Sequence, residues 1–122
     1  MNRLLCFFLF PLTIVAQEFI TSSSFESKVA KGVTVIEFWA EWNESNEVPY
    51  LSQLKGCEVY KVCIADNVDI KNDFNVVVIP TIIILDNGIE QVRFNPNIMM
   101  RISVKKKDVQ SAIDAIALSK FQ

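Results

Sequence analysis

The stretch that decides the fold reads VTVIEFWA and occupies residues 33–40. Most of its residues are β-branched or aromatic, and the apolar ones follow one another instead of alternating with polar ones. This pattern is typical of a strand covered on both faces, as in a sheet with helices on its two sides. The only charged residue inside the stretch is Glu37.

The segments on either side of this strand alternate between extended and helical patterns. Upstream, residues 19–20 suit a short edge strand. Residues 22–24 offer N-caps for a helix predicted at residues 25–31, which ends at Gly32. Downstream, the pattern through residues 50–55 predicts a second helix, and Pro49 limits where that helix can begin.

The carboxyl-terminal half carries a hairpin signal. The Asn87-Gly88 pair lies between two extended patterns and is a strong signal for a tight turn. Strands are predicted at residues 59–65, 81–85 and 89–94, with a short helix within residues 66–74 and a last helix at residues 105–120. The resulting order, β-α-β-α-β-α-β-β-α, predicts an α/β fold with a mixed central sheet of four to five strands flanked by helices on both faces.

The composition excludes several classes of function. The chain has 122 residues, of which 51% are hydrophobic and 21% charged, and these values indicate one globular domain. A formal net charge of −2 gives no electrostatic reason to expect nucleic acid as a partner. Histidine is absent, so the chain lacks the usual general base and the commonest metal ligand. We therefore assign neither a metal site nor a cofactor.

Residues 1–16 have the pattern of a signal peptide. Arg3 supplies the positive charge, residues 4–12 form an apolar run, and cleavage is expected before Gln17. The alternative is an uncleaved anchor, but the apolar stretch of about 12 to 15 residues is shorter than the roughly 20 that span a bilayer. We expect a mature domain of residues 17–122 that is periplasmic or secreted and has no integral membrane segment.

Two motifs resemble the thioredoxin family. The stretch VIEFWAEW at residues 35–42 resembles the strand that leads into the thioredoxin active site. The run Ile79-Pro80-Thr81, followed by an apolar strand and Asn87-Gly88, resembles that family's cis-proline loop and hairpin. The resemblance covers residues 19–94 and the last helix. It implies the thioredoxin fold, with a cis peptide bond before Pro80.

The chain departs from the family at the residues that carry the family's chemistry. Where thioredoxins have Cys-x-x-Cys directly after the tryptophan, this chain reads Asn43, Glu44, Ser45 and Asn46. A carboxamide cannot form the thiolate that attacks a disulfide, so dithiol exchange at these positions is excluded. We therefore assign no catalytic residue and expect a binding protein rather than an enzyme.

The remaining site residues follow from the resemblance. Ile79 and Pro80 match the loop whose backbone contacts an extended peptide, and Trp42 matches the exposed tryptophan beside the active site, so these three are candidate peptide-binding residues. The alternative is that Pro80 only shapes its loop and Trp42 caps the core. Glu37 matches the family's buried acid, and because an unpaired buried carboxylate is costly, we expect a raised pKa or a lysine partner.

The mature chain has two further cysteines, Cys57 and Cys63. Six residues of extended strand span about 20 Å, whereas a disulfide needs Cα atoms about 4.4 to 6.8 Å apart. We therefore expect two free thiols, with Cys63 buried as a small apolar residue and Cys57 the more exposed. An atypical thiol–disulfide oxidoreductase that uses either cysteine is the alternative function.

Two other features leave alternatives open. The triplet Asn43-Glu44-Ser45 fits the N-glycosylation pattern. The apolar stretch within residues 94–100 has the weakest secondary-structure signal, and it either packs into the core or forms an adaptable partner surface. The main hypothesis is an exported thioredoxin-like domain without a redox-active dithiol, which binds a protein or peptide or serves as a scaffold.

Overall fold

A computed structural model describes residues 18–121, and the predicted signal peptide at residues 1–16 lies outside this range. The strands are β1 (Glu18–Phe19), β2 (Val33–Trp39), β3 (Glu58–Cys63), β4 (Thr81–Asp86) and β5 (Ile89–Phe94). The α-helices are α1 (Ser22–Val29), α2 (Val68–Asp73) and α3 (Lys106–Ser119), and two 3-10 helices lie at Glu41–Asn46 and Leu51–Gln53. None of the helices in this range is long and apolar enough to cross a bilayer.

The five strands form one mixed sheet in the order β1-β3-β2-β4-β5. At its centre, β2 is parallel to β3 and antiparallel to β4. Every residue of β2 from Val33 to Phe38 is buried. The predicted α/β class with a mixed central sheet is confirmed, and the number of strands is five.

Hydrophobic clusters cover the sheet on both faces. Ile36 and Phe38 belong to the cluster that also contains residues of α1 and α2. Val35 belongs to the other cluster, which contains residues of α3 and of the second 3-10 helix. Because successive residues of a strand point to opposite faces, the unbroken apolar run of β2 contributes to both clusters.

The predicted second α-helix is wrong, because the chain between β2 and β3 forms only two short 3-10 helices and irregular backbone. Pro49 has no N–H to donate, and it disfavours helical backbone at Val48, the residue before it. The N–H of Val48 instead donates to Glu37 Oε2 at 3.1 Å. The order of elements therefore differs from the predicted one at this position, and a short irregular segment borders the site described below.

The β4–β5 turn and the loop before β4 follow the sequence predictions. Asn87 and Gly88 have φ values of 52° and 83°, the left-handed backbone that a tight two-residue hairpin turn requires. The peptide bond between Ile79 and Pro80 is cis. The start of β4, directly after the cis-proline loop, lies beside the end of β2, since Thr81 pairs with Phe38.

Candidate functional site

The candidate site lies where β2 ends and the chain enters the first 3-10 helix. Trp42 stands in this segment with 68% of its surface exposed, so it does not cap the core. Ile79 is 3% exposed and Pro80 is also buried. Ile79 therefore contributes backbone groups rather than its side chain to this part of the molecule.

The side-chain amide of Asn43 connects three parts of the site. Its Nδ2 donates to the carbonyl oxygen of Ile79 at 3.4 Å and to that of Met100 at 3.2 Å. Its Oδ1 accepts a hydrogen bond from Asn46 Nδ2 at 2.6 Å. Asn43 is only 7% exposed, so it is a buried polar side chain whose donor and acceptor groups are both satisfied.

Asn46 extends this network to Arg101, because its Oδ1 accepts a hydrogen bond from Arg101 Nε at 3.0 Å. Arg101 closes a compact turn, the 97–101 loop. Within it, the N–H of Asn97 donates to the carbonyl of Arg101 at 2.8 Å, and Asn97 Oδ1 accepts from the N–H groups of Met99 and Arg101. The amides at positions 43 and 46 thus attach the 97–101 loop to the end of β2 and to the cis-proline loop.

The apolar stretch within residues 94–100 divides between core and surface. Phe94 and Met100 are partly buried and pack against the hydrophobic clusters of the two faces. Ile98 is 100% exposed and Met99 is 63% exposed at the tip of the 97–101 loop. Phe94 and Met100 therefore follow the core-packing alternative, and Ile98 and Met99 follow the alternative of an exposed surface.

The glycosylation triplet does not present its acceptor to solvent. Glu44 and Ser45 are exposed, but Asn43 is buried. The nitrogen that would carry the sugar donates to two backbone carbonyls. Glycosylation of Asn43 is therefore incompatible with the folded structure.

Glu37 has no exposed surface. Its Oε2 accepts from the N–H of Val48, and its Oε1 has no hydrogen-bond partner within the described residues. Burial raises the pKa of Glu37 from 4.5 to about 7, although the Val48 N–H and the positive charge of Lys61 oppose the rise. Lys61 lies opposite Glu37 in the β2–β3 pairing, but its ammonium is paired with Glu47. Of the two outcomes expected for Glu37, a raised pKa or a lysine partner, the structure gives the raised pKa.

Sequence reasoning missed Lys61, Glu47 and Arg101. A signal for Lys61 was present, since it is a single charge between Tyr60 and Val62 in an apolar strand and is only 7% exposed. Glu47 and Arg101 lie in irregular segments, where no periodic pattern identifies their partners. Their roles depend on contacts between distant parts of the chain.

Cys57 and Cys63 are free thiols, and each is partly buried. Cys57 packs against the cluster on the α3 side of the sheet, where burial, together with the charge of Glu58, raises its pKa to about 11. Cys63 lines a cavity at the end of β3. Within residues 18–121, no three histidine, cysteine or acidic side chains converge to hold a metal ion.

No protein-family model matches the chain. Thioredoxin from Staphylococcus epidermidis is 30% identical over 76 residues, which cover 57% of this chain and 73% of that protein. Thioredoxin from Staphylococcus haemolyticus is 29% identical over the same shares of the two chains.

Solved structures share the fold at lower identity. A mutant thioredoxin from Halobacterium salinarum matches with a TM-score of 0.65 at 14% identity, over 83% of this chain and 94% of that one. Malassezia sympodialis thioredoxin matches with a TM-score of 0.58 at 21% identity, over 82% of this chain and 90% of that one. With the mixed five-stranded sheet and the cis-proline loop, these similarities lead to one conclusion: the chain belongs to the thioredoxin family, and its sequence contains no Cys-x-x-Cys motif.

Proposed function

We propose that residues 17–122 form an exported thioredoxin-like domain that binds a protein or peptide and performs no dithiol exchange. The binding surface would be the former active-site face, defined by Trp42, Asn43, Asn46, Ile79 and Pro80. One observation carries the proposal. Asn43 and Asn46 form a hydrogen-bonded network with Ile79 and Arg101 directly after Trp42, where thioredoxins carry their dithiol.

Exposed apolar side chains support a binding role for this face. Trp42 is 68% exposed, and Ile98 and Met99 are exposed on the 97–101 loop, which Asn43 joins to the same face. Tryptophan is enriched among the residues that dominate binding energy at protein interfaces. Methionine is suited to adaptable contacts. A partner that covers these side chains would remove their apolar surface from water.

The alternative, an oxidoreductase that uses Cys57 or Cys63, lacks support in the geometry of the thiols. The pKa of Cys57 is raised to about 11, which is opposite to the shift that activates a thiol nucleophile. Cys57 directly precedes β3 and Cys63 is its last residue, so the length of the strand separates the two thiols. A dithiol mechanism needs a second thiol to resolve the mixed disulfide.

Selection from a library of random extended peptides tests binding. Residues 17–122, immobilised, should enrich peptides whose affinity falls in Trp42→Ala. Leu118→Ala is the matched control, since Leu118 is 63% exposed on α3 and lies outside the former active-site face. Equal loss in both variants, or no enrichment, would contradict the proposed surface. Reduction of a disulfide-linked protein by the same preparation, lost after Cys57→Ser and Cys63→Ser, would contradict the absence of thiol–disulfide exchange and favour the alternative function.

The export part of the proposal rests on the residues 1–16 pattern. Expression of the full chain with a carboxyl-terminal tag in a host with a general secretion pathway should yield tagged protein outside the cytoplasm. Its amino-terminal residue, determined by sequencing, should be Gln17. Recovery of only the uncleaved chain in the cytoplasm would rule out this part without affecting the binding proposal.

A further inference from the structure

A cavity of about 320 Å³ lies at the carboxyl ends of the three parallel strands β1, β3 and β2. Its lining includes Phe19, Trp39, Cys63, Glu41 and Asp66. This volume is near the lower end of the range for ligand pockets, about 300 to 1,000 Å³. The cavity therefore has room for one long side chain, and the proposed function leaves it unused.

Two aromatic rings form one side of the cavity. The rings of Phe19 and Trp39 meet edge to face, with centroids 5.4 Å apart. The ammonium of Lys61 lies 5.4 Å from each ring centroid, so these rings already take part in cation–π contacts within the protein. The Lys61 ammonium is itself paired with Glu47.

Both charged residues of the lining are acidic, and its other polar residues, Thr21 and Asn67, are neutral. Glu41 and Asp66 are exposed, and within residues 18–121 neither forms an ion pair with a basic side chain. Because Glu47 neutralises the Lys61 ammonium that lies over the rings, the two acidic lining residues, Glu41 and Asp66, leave a charge of −2. The cavity thus combines aromatic walls with uncompensated negative charge.

We infer that this cavity receives a lysine or arginine side chain of a bound peptide, an inference that rests on the proposed binding function. A basic side chain has an apolar stem, which suits the Phe19 and Trp39 rings, and a cationic head, which suits the Glu41 and Asp66 carboxylates. Glu41 directly precedes Trp42, so the cavity adjoins the former active-site face and one extended peptide can reach both.

Selection of random heptapeptides on residues 17–122 tests the inference. The selected peptides should share a lysine or arginine at one position relative to their apolar residues. The double variant Glu41→Gln and Asp66→Asn should bind the selected peptides about tenfold more weakly than the wild type does. Analogues of these peptides with norleucine in place of the basic residue should bind the wild type and the double variant equally. The matched control is Glu26→Gln with Asp73→Asn, which removes the same charge near the β4–β5 turn, at the opposite end of β2.

A thiol footprint supplies a second measurement. In the Cys57→Ser protein, Cys63 is the only remaining cysteine of residues 17–122, and it lines the cavity. A saturating selected peptide should slow its alkylation by iodoacetamide several-fold, and the norleucine analogue at equal occupancy should slow it less. Equal slowing by both peptides would contradict entry of the basic side chain.

The outcomes separate this inference from the function on which it rests. Peptides that bind through Trp42 but share no basic residue, or that bind both double variants equally, would overturn the inference and leave the binding function standing. A library that yields no binding peptide would overturn both.

Discussion

The side-chain nitrogen of Asn46 donates a 2.6 Å hydrogen bond to the side-chain oxygen of Asn43. The two residues stand three apart, the spacing that a dithiol has in the family, and their amides bond to each other as well as to the surrounding loops. Replacing thiols by amides at this place therefore gives the site a structural role: it holds the 97–101 loop against the cis-proline loop.

The first prediction concerns Asn43→Ala. This change removes the Asn43 donor from the carbonyls of Ile79 and Met100 and the acceptor from Asn46 Nδ2, in a largely buried setting. An unsatisfied buried polar group costs about 1 to 3 kcal/mol, so we expect the free energy of unfolding to fall by about 2 kcal/mol. Urea denaturation measures the change. Asn72→Ala, at an exposed position of α2, is the control and should change the value by less than about 0.5 kcal/mol.

A second prediction concerns Arg93, which ties β5 to the loop that precedes the cis-proline segment. Its Nη2 donates to the carbonyl of Phe74 at 2.6 Å, and its guanidinium pairs with Glu90 at 2.8 Å. Arg93→Met should lower the free energy of unfolding by about 1 to 2 kcal/mol, because a carbonyl loses a charged donor. Glu90→Gln removes only a partly exposed ion pair and should cost less than about 1 kcal/mol. Equal effects in the two variants would show that the bond to Phe74 contributes nothing.

Features with a local signal could be predicted from the sequence. The run at residues 33–40 identifies the central strand, because an unbroken apolar pattern needs cover on both faces. The Asn87-Gly88 pair identifies its turn, because both residues tolerate left-handed backbone. In each case a few neighbouring residues determine the conformation without help from the rest of the chain.

Features that depend on distant contacts could not be predicted in this way. Asn43 bonds to Met100, 57 positions along the chain, and its burial depends on a loop that has no periodic pattern. The helix predicted through residues 50–55 does not form, because Pro49 and the bond from Val48 to Glu37 favour another path for the backbone. Tertiary contacts override the local helical preference at this segment.

The third prediction concerns the reactivity of Cys57. Burial raises its pKa to about 11 from an ordinary 9.0, so its thiolate population near pH 8 is about 100-fold smaller than that of a solvated cysteine. In a Cys63→Ser protein of residues 17–122, iodoacetamide should therefore modify Cys57 at least 100-fold more slowly when the protein is folded than when it is unfolded in urea. Mass spectrometry measures the modified fraction over time. Similar rates in the two states would contradict the burial of this thiol and revive an oxidoreductase that uses it.

The last prediction concerns the pH dependence of stability. The folded-state pKa of Glu37 is about 7, whereas its ordinary value is 4.5, and the cause is burial. The folded protein therefore binds this proton more tightly than the unfolded chain. The protonated Glu37 carboxyl therefore contributes stability to the folded protein. This contribution is fully present below pH 4.5, is lost as the pH rises from 4.5 to 7, and changes no further above that range. A difference of this size corresponds to a loss on the order of 3 kcal/mol.

Glu37→Gln isolates this effect, because glutamine keeps an oxygen that can accept the hydrogen bond from Val48 but carries no proton that titrates. The free energy of unfolding of the wild type, measured relative to Glu37→Gln, should fall by about 3 kcal/mol between pH 4 and pH 8. Lys61→Met should move the decline to higher pH, since the charge of Lys61 lowers the pKa of Glu37. Parallel pH profiles for the wild type and Glu37→Gln would mean that the carboxyl group is solvated in the folded protein, and the buried position assigned to it in β2 would then be wrong.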